Sequence, residues 1–91
     1  MTIMITESAR WQLRLTIQDL LRRQDPEAPL LAQRVRAILS NQVLVEDYLQ
    51  PIAGIEELPH REIPIGSYHL FFRRAQDTLW LCGLWPPMYP E

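Results

Sequence analysis

The sequence predicts an α+β domain: an N-terminal strand, an antiparallel helical hairpin, and then a three-stranded antiparallel sheet. Three observations predict it. The stretch REIPIGSYHLFFRRAQDTLWLCGLW (61–85) holds five of the eight aromatics and is divided into three strand-sized pieces by two turn signals, Gly66-Ser67 and Ala75-Gln76-Asp77-Thr78. Residues 7–43 instead carry two runs of helical period, separated at Asp25-Pro26. Ahead of both stands a short apolar run, Ile3-Met4-Ile5. A small sheet with one apolar face is marginal in water, so the two helices are expected to lie on it.

The elements follow in order. Ile3-Met4-Ile5 reads as a strand that leads directly into a helix, with Thr6 as N-cap and Glu7 in the first turn, where its charge meets the positive end of the helix. This helix should run to about Gln24. Ala9, Leu13, Thr16, Ile17 and Leu20 share one face, and Arg10, Arg14, Gln18 and Arg22 form a polar stripe. Trp11 and Leu15 point largely away from the apolar face. Either the helix has a wide buried face or is covered there by the C-terminal tail, or Trp11 and Leu15 form an exposed patch for a partner.

Asp25-Pro26-Glu27 reads as a stop and restart, with Asp25 as cap and Pro26 at the first helical position; Pro29 suggests that regular helix begins nearer Ala28. Leu31, Val35, Ile38 and Leu39 give the second apolar face, which ends near 41–43. The segment 45–60 has no clean period, contains Pro51, Gly54 and Pro59, and reads as a long connection anchored by Tyr48, Leu49, Ile52 and Ile55.

In the strand 68–74, Tyr68, Leu70 and Phe72 point one way and His69, Phe71 and Arg73 the other. Leu70 and Phe72 are assigned to the core. His69, Phe71 and Arg73 are thereby left on an open face beside Trp80 or Leu81, which makes a binding surface. Cys82 is expected to be a buried strand residue, and Pro64 to sit at an edge or bulge. After Trp85, residues 86–91 (PPMYPE) read as an extended tail of the single domain 1–91.

Composition narrows the function. All nine basic residues are arginine, and eleven carboxylates leave a net charge of −2. Proteins that hold nucleic acid through its phosphates carry a basic excess, so direct nucleic-acid binding is not expected. One cysteine excludes an internal disulfide framework and suggests a reducing compartment, and neither a signal-peptide pattern nor a membrane-length apolar run is present; a cytoplasmic location is expected. No metal or cofactor is expected, since His60, His69 and Cys82 lack ligand spacing and no glycine-rich phosphate loop occurs.

The run REIPIGSYHLFFRRAQDTLWLCGLW, preceded by ITESARWQLRLTIQDL and DPEAPLLAQRVRAIL, resembles the RelE/ParE toxin superfamily of type II toxin–antitoxin modules, also called plasmid stabilisation proteins. It is similar to the family's Gly-x-Tyr-Arg strand, acidic turn and apolar last strand. The resemblance implies a toxin neutralised by a cognate antitoxin. ParE-like members inhibit DNA gyrase by binding, without catalysis. RelE-like members cleave mRNA on the ribosome with a cluster of Arg, Lys and His and a late Tyr, which the resemblance would carry onto Arg61, His69, Arg73 and Tyr89.

This sequence departs from the RelE-like pattern. The strand arginine after Tyr68 is His69, the basic position after the last strand holds Pro86-Pro87, and there is no lysine. The ParE-like branch is therefore the closer one, which makes the chain a binding protein rather than an enzyme; the alternatives are an endoribonuclease and a detoxified member kept as an interaction module. His69 is read either as a catalytic imidazole or as a partner-contacting residue. The partner is expected to touch either the open sheet face around His69, Phe71 and Arg73 or the Trp11–Leu15 side of the first helix.

Overall fold

A computed structural model describes residues 2–86, apart from the side chains of residues 42–44. The order is β1 (Thr2–Ile5), α1 (Glu7–Arg22), α2 (Glu27–Ser40), α3 (Gln42–Tyr48), β2 (Gln50–Pro51), β3 (His60–Ile65), β4 (Tyr68–Ala75) and β5 (Thr78–Trp85). The α+β class is as predicted, but the sheet is larger than the sequence suggested. It has five strands in the order β1-β5-β4-β3-β2, of which β3, β4 and β5 form the expected antiparallel meander. β1 is not a separate strand: it pairs in parallel with β5, from Thr2 opposite Thr78 to Ile5 opposite Leu81. β2, two residues long, pairs antiparallel with Arg61 and Glu62 of β3.

Thr6 caps α1 as expected, its hydroxyl oxygen accepting from the Ala9 N–H at 3.1 Å. The helix ends at Arg22 because Gln24 turns left-handed, with φ 57°. The Gln24 N–H then bonds to the Leu21 carbonyl and the Asp25 N–H to the Leu20 carbonyl, at 3.0 and 2.8 Å, closing the helix in a Schellman turn. Asp25 next caps α2. Its Oδ1 accepts from the Glu27 N–H at 2.9 Å, and its carbonyl accepts from Ala28 at 3.1 Å. Pro29 falls in the first turn of α2, and the N–H it lacks is replaced by that of Ala28 as donor to the Asp25 carbonyl.

Both helices lie on one face of the sheet, α1 over β5 and α2 over β3, and they pack on each other. The core between the layers takes Ala9, Leu13 and Leu20 from α1, Ala28, Leu31, Val35 and Ile38 from α2, and alternate residues of the meander. Among these, Leu70, Phe72, Leu79 and Leu81 are almost wholly buried. Ile3 and Ile5 pack against the core edge, which explains why β1 joins this sheet instead of standing alone.

Three further expectations are corrected. The connection after α2 is not irregular at its start: α3 occupies it, buries Val45 completely and is tied to the end of β4 by a 3.2 Å ion pair between Glu46 and Arg74. Seven residues are too few to display a helical period. Cys82 is exposed, because the ladder slips between Phe71 and Phe72: Phe71 lies opposite Gly83 but Phe72 opposite Leu81, which leaves Cys82 as the extra residue of a bulge. The slip also re-phases β5, so that Leu81 and Leu84, three apart, both face the core, and Leu81 is not on the open face.

One tertiary contact pins the meander to the helices. The Gly66-Ser67 turn approaches the start of α2, and the Glu27 carboxylate accepts from the Ser67 N–H at 2.9 Å and from its hydroxyl at 2.7 and 2.8 Å. Gly66 has φ +59°, and a Cβ there would lie 2.7 Å from Glu27 Oε1. The left-handed backbone favours glycine, and a Cβ there would displace the Glu27 carboxylate from Ser67.

Candidate functional site: the open face of the sheet

With both helices on one side, the other side of the sheet is uncovered by any described element. Register places its residues in rows. Met4 lies beside Trp80, Trp80 opposite Arg73, and Arg73 opposite His60. In the next row Gly83 lies opposite Phe71 and Phe71 opposite Glu62; in the third, Trp85 lies opposite His69 and His69 opposite Pro64. The face is therefore an apolar band of Met4, Trp80, Phe71 and Trp85, flanked by His60, Glu62, His69 and Arg73. Met4 is 45% exposed and Trp85 56%, while Phe71 and Trp80 are half-buried.

The electrostatic feature at its centre is a histidine–carboxylate contact. His69 Nδ1 lies 3.5 Å from Glu62 Oε2, an ion-pair separation when the imidazole is protonated. The distance is too long for a good hydrogen bond, and His69 Nδ1 is buried with no hydrogen-bond partner among the described residues, as is His60 Nδ1. Arg73 is exposed at the far end of the face. Desolvation pushes the nearby Cys82 thiol above its ordinary value, and Arg73 opposes that in part.

The residues singled out in the sequence separate into three places. His69, Phe71 and Arg73 share the open face, as strand alternation predicted. Arg61 does not join them: it lies opposite the buried Phe72, so it belongs to the helix side of the sheet, where its Nη1 donates to the carbonyls of Leu58 and His60 at 2.7 Å each. Tyr89 lies outside the described residues, as does the predicted tail beyond Pro86. Trp11 is on the outer side of α1, 53% exposed and opposite the buried stripe, with Leu15 half-buried one turn on. The Trp11 patch and the open face are therefore on opposite sides of the molecule, and a partner that touched both would have to wrap around it.

His60, Glu62, Met4 and Trp85 are the members of this face that sequence reading missed. Glu62 was within reach, because it shares strand parity with Pro64 and His60. Met4 and Trp85 were not, since their places depend on the β1–β5 pairing and on the bulge. Among the described residues, no cluster of three or more His, Cys, Asp or Glu could hold a metal, and no helix is long and apolar enough to cross a membrane. No family model matches the chain, and no curated protein or solved structure is significantly similar to it.

Proposed function

We propose that this chain is the toxin component of a type II toxin–antitoxin module, a ParE-like protein that acts by binding DNA gyrase and is neutralised by a cognate antitoxin. The observation that supports a binding role over RNA cleavage is the position of Glu62. A ribonuclease face must receive a phosphate and stabilise the charge that develops on it, which calls for converging cations. Here a carboxylate lies 3.5 Å from His69, Arg61 is turned to the opposite side, and the chain carries a net charge of −2 with no lysine. The same face offers Trp80, Phe71 and Trp85, large rigid groups of the kind that anchor protein interfaces. The choice of gyrase rests on the resemblance of residues 61–85 to the ParE-like branch.

The test is induction of the chain alone in bacterial cells, with separate pulse labels for DNA and protein synthesis. DNA synthesis should fall first, and the effect should be lost with Phe71→Ala. An earlier loss of protein synthesis, abolished by His69→Ala, would favour the RelE-like reading and refute this one. Absence of any growth effect would leave an interaction module without toxicity.

A further inference from the structure

On the helix side of the sheet rim, a groove of about 270 Å³ runs between α2 and the outer edge of β3. Its α2 wall is Leu30, Arg34, Ala37 and Ile38, spaced over two turns of helix, or about 12 Å. Ile63 and Ile65 form the floor, and Tyr48 at the end of α3 closes one end. Leu30 and Tyr48 are 39% and 49% exposed, large apolar groups standing at the rim. Arg34 is the one charge among the lining residues. It is exposed and forms no ion pair among the described residues.

We infer that this groove is a docking site for an amphipathic helix of a partner protein, one that presents an apolar ridge to Leu30, Ala37, Tyr48 and Ile65 and a carboxylate to Arg34. The choice of a helix over an added strand comes from β3 itself. In its ladder with β4 the hydrogen-bonded pairs alternate, and the bond from the Arg74 N–H to the Pro59 carbonyl at 3.1 Å sets their phase. Ile63 and Ile65 direct their backbone groups to β4, and Pro64 faces outward. Beyond the two residues of β2 the groove edge therefore presents proline, which has no N–H to donate to an incoming strand. A helix brings its backbone already satisfied and needs only side-chain contact, with anchors one turn apart matching the two-turn wall. The charge requirement follows from Arg34: an apolar ridge alone would leave its guanidinium facing the occupant without a counter-charge, whereas an Asp or Glu on the ridge flank pairs with it.

The site is separate from the open sheet face and stands whether or not the chain is a toxin. The test is selection on the immobilised full chain from a phage-displayed library of amphipathic helices of about 16 residues, with one flank position free to be acidic, basic or neutral. Enriched peptides should be acidic at that position. Their affinity should fall about tenfold or more with Arg34→Glu, collapse with the groove-filling Ala37→Trp, and be unchanged with Phe71→Ala on the sheet face. Arg34→Glu sits at an exposed helical position, so it carries the test even where Ala37→Trp perturbs folding, as circular dichroism would reveal. The proposal is overturned if no peptide is enriched, if enriched peptides bind Arg34→Glu as tightly as the parent, or if Phe71→Ala is the variant that abolishes binding.

Discussion

Replacing Gly66 by alanine tests how the meander is held to the helices. Two costs arise. Alanine must adopt φ near +59°, a left-handed conformation worth about 1–2 kcal/mol against an L-residue. The new Cβ would also stand 2.7 Å from Glu27 Oε1, but that atom ends a flexible side chain, so the overlap is relieved by swinging the carboxylate away. The second cost is then the loss of the Glu27–Ser67 hydrogen bonds, which are solvent-exposed and together contribute only about 1 kcal/mol. Gly66→Ala should therefore destabilise by about 2–3 kcal/mol. Glu27→Ala removes the same bonds and a carboxylate from the first turn of α2, for about 1–2 kcal/mol. Because both changes break one shared contact, the double mutant should be less destabilised than their sum by about 1 kcal/mol. Urea unfolding followed by circular dichroism gives all three values. Strict additivity would show that Gly66 and Glu27 do not share this contact, and a neutral Gly66→Ala would refute the reasoning altogether.

Further outcomes separate the two faces of β4 and the buried polar groups. Leu70→Ala should cost about 2–5 kcal/mol in urea unfolding, whereas Phe71→Ala on the open face should cost less than half as much while weakening partner binding; equal costs would contradict the assigned faces. The Thr16 hydroxyl is buried without a hydrogen-bond partner among the described residues, so Thr16→Val should raise stability by about 1 kcal/mol; a loss would show that the hydroxyl has a partner after all. Burial, reinforced by the Glu27 carboxylate, pushes the Tyr68 phenol above its ordinary 10.0. The unfolded chain then loses this proton first, so the contribution is present below pH 10 and is lost as pH rises further. Stability measured between about pH 9 and 11 should fall less steeply in Tyr68→Phe, and identical slopes would exclude the effect.

What the sequence disclosed was local. Thr6 and Asp25 announce helix starts through side chains that bond to the next few backbone groups, and the stripe Ala9-Leu13-Thr16-Leu20 announces its own buried face. Gly66-Ser67 sets the hairpin, and the hairpin sets the parity that puts Leu70 and Phe72 inward and His69, Phe71 and Arg73 outward. Partners distant along the chain leave no such mark. Ile3-Met4-Ile5 carries nothing that names β5 as its neighbour, and the spacing of Leu81 and Leu84 reads as a broken alternation until the bulge at Cys82 accounts for it. Arg61 illustrates the same limit within the site. It is one residue from Glu62, yet the pleat turns it to the opposite side from His69, so its closeness in sequence to the open-face residues did not carry over to space.

The pairing of β1 with β5 has a consequence for the order of events during synthesis. Residues 2–5 can find their partners only after residues 78–81 have been made. The nascent chain can form helices and the β3–β4 hairpin early, but one flank of β5 must wait for the other end of the polypeptide. Long loop closure of this kind slows the final step of folding. Until then the inner surface of β1, with Ile3 and Ile5, has no sheet to rest on. Removing residues 2–5 would leave the edge of β5 unpaired and ready to accept a strand from another molecule.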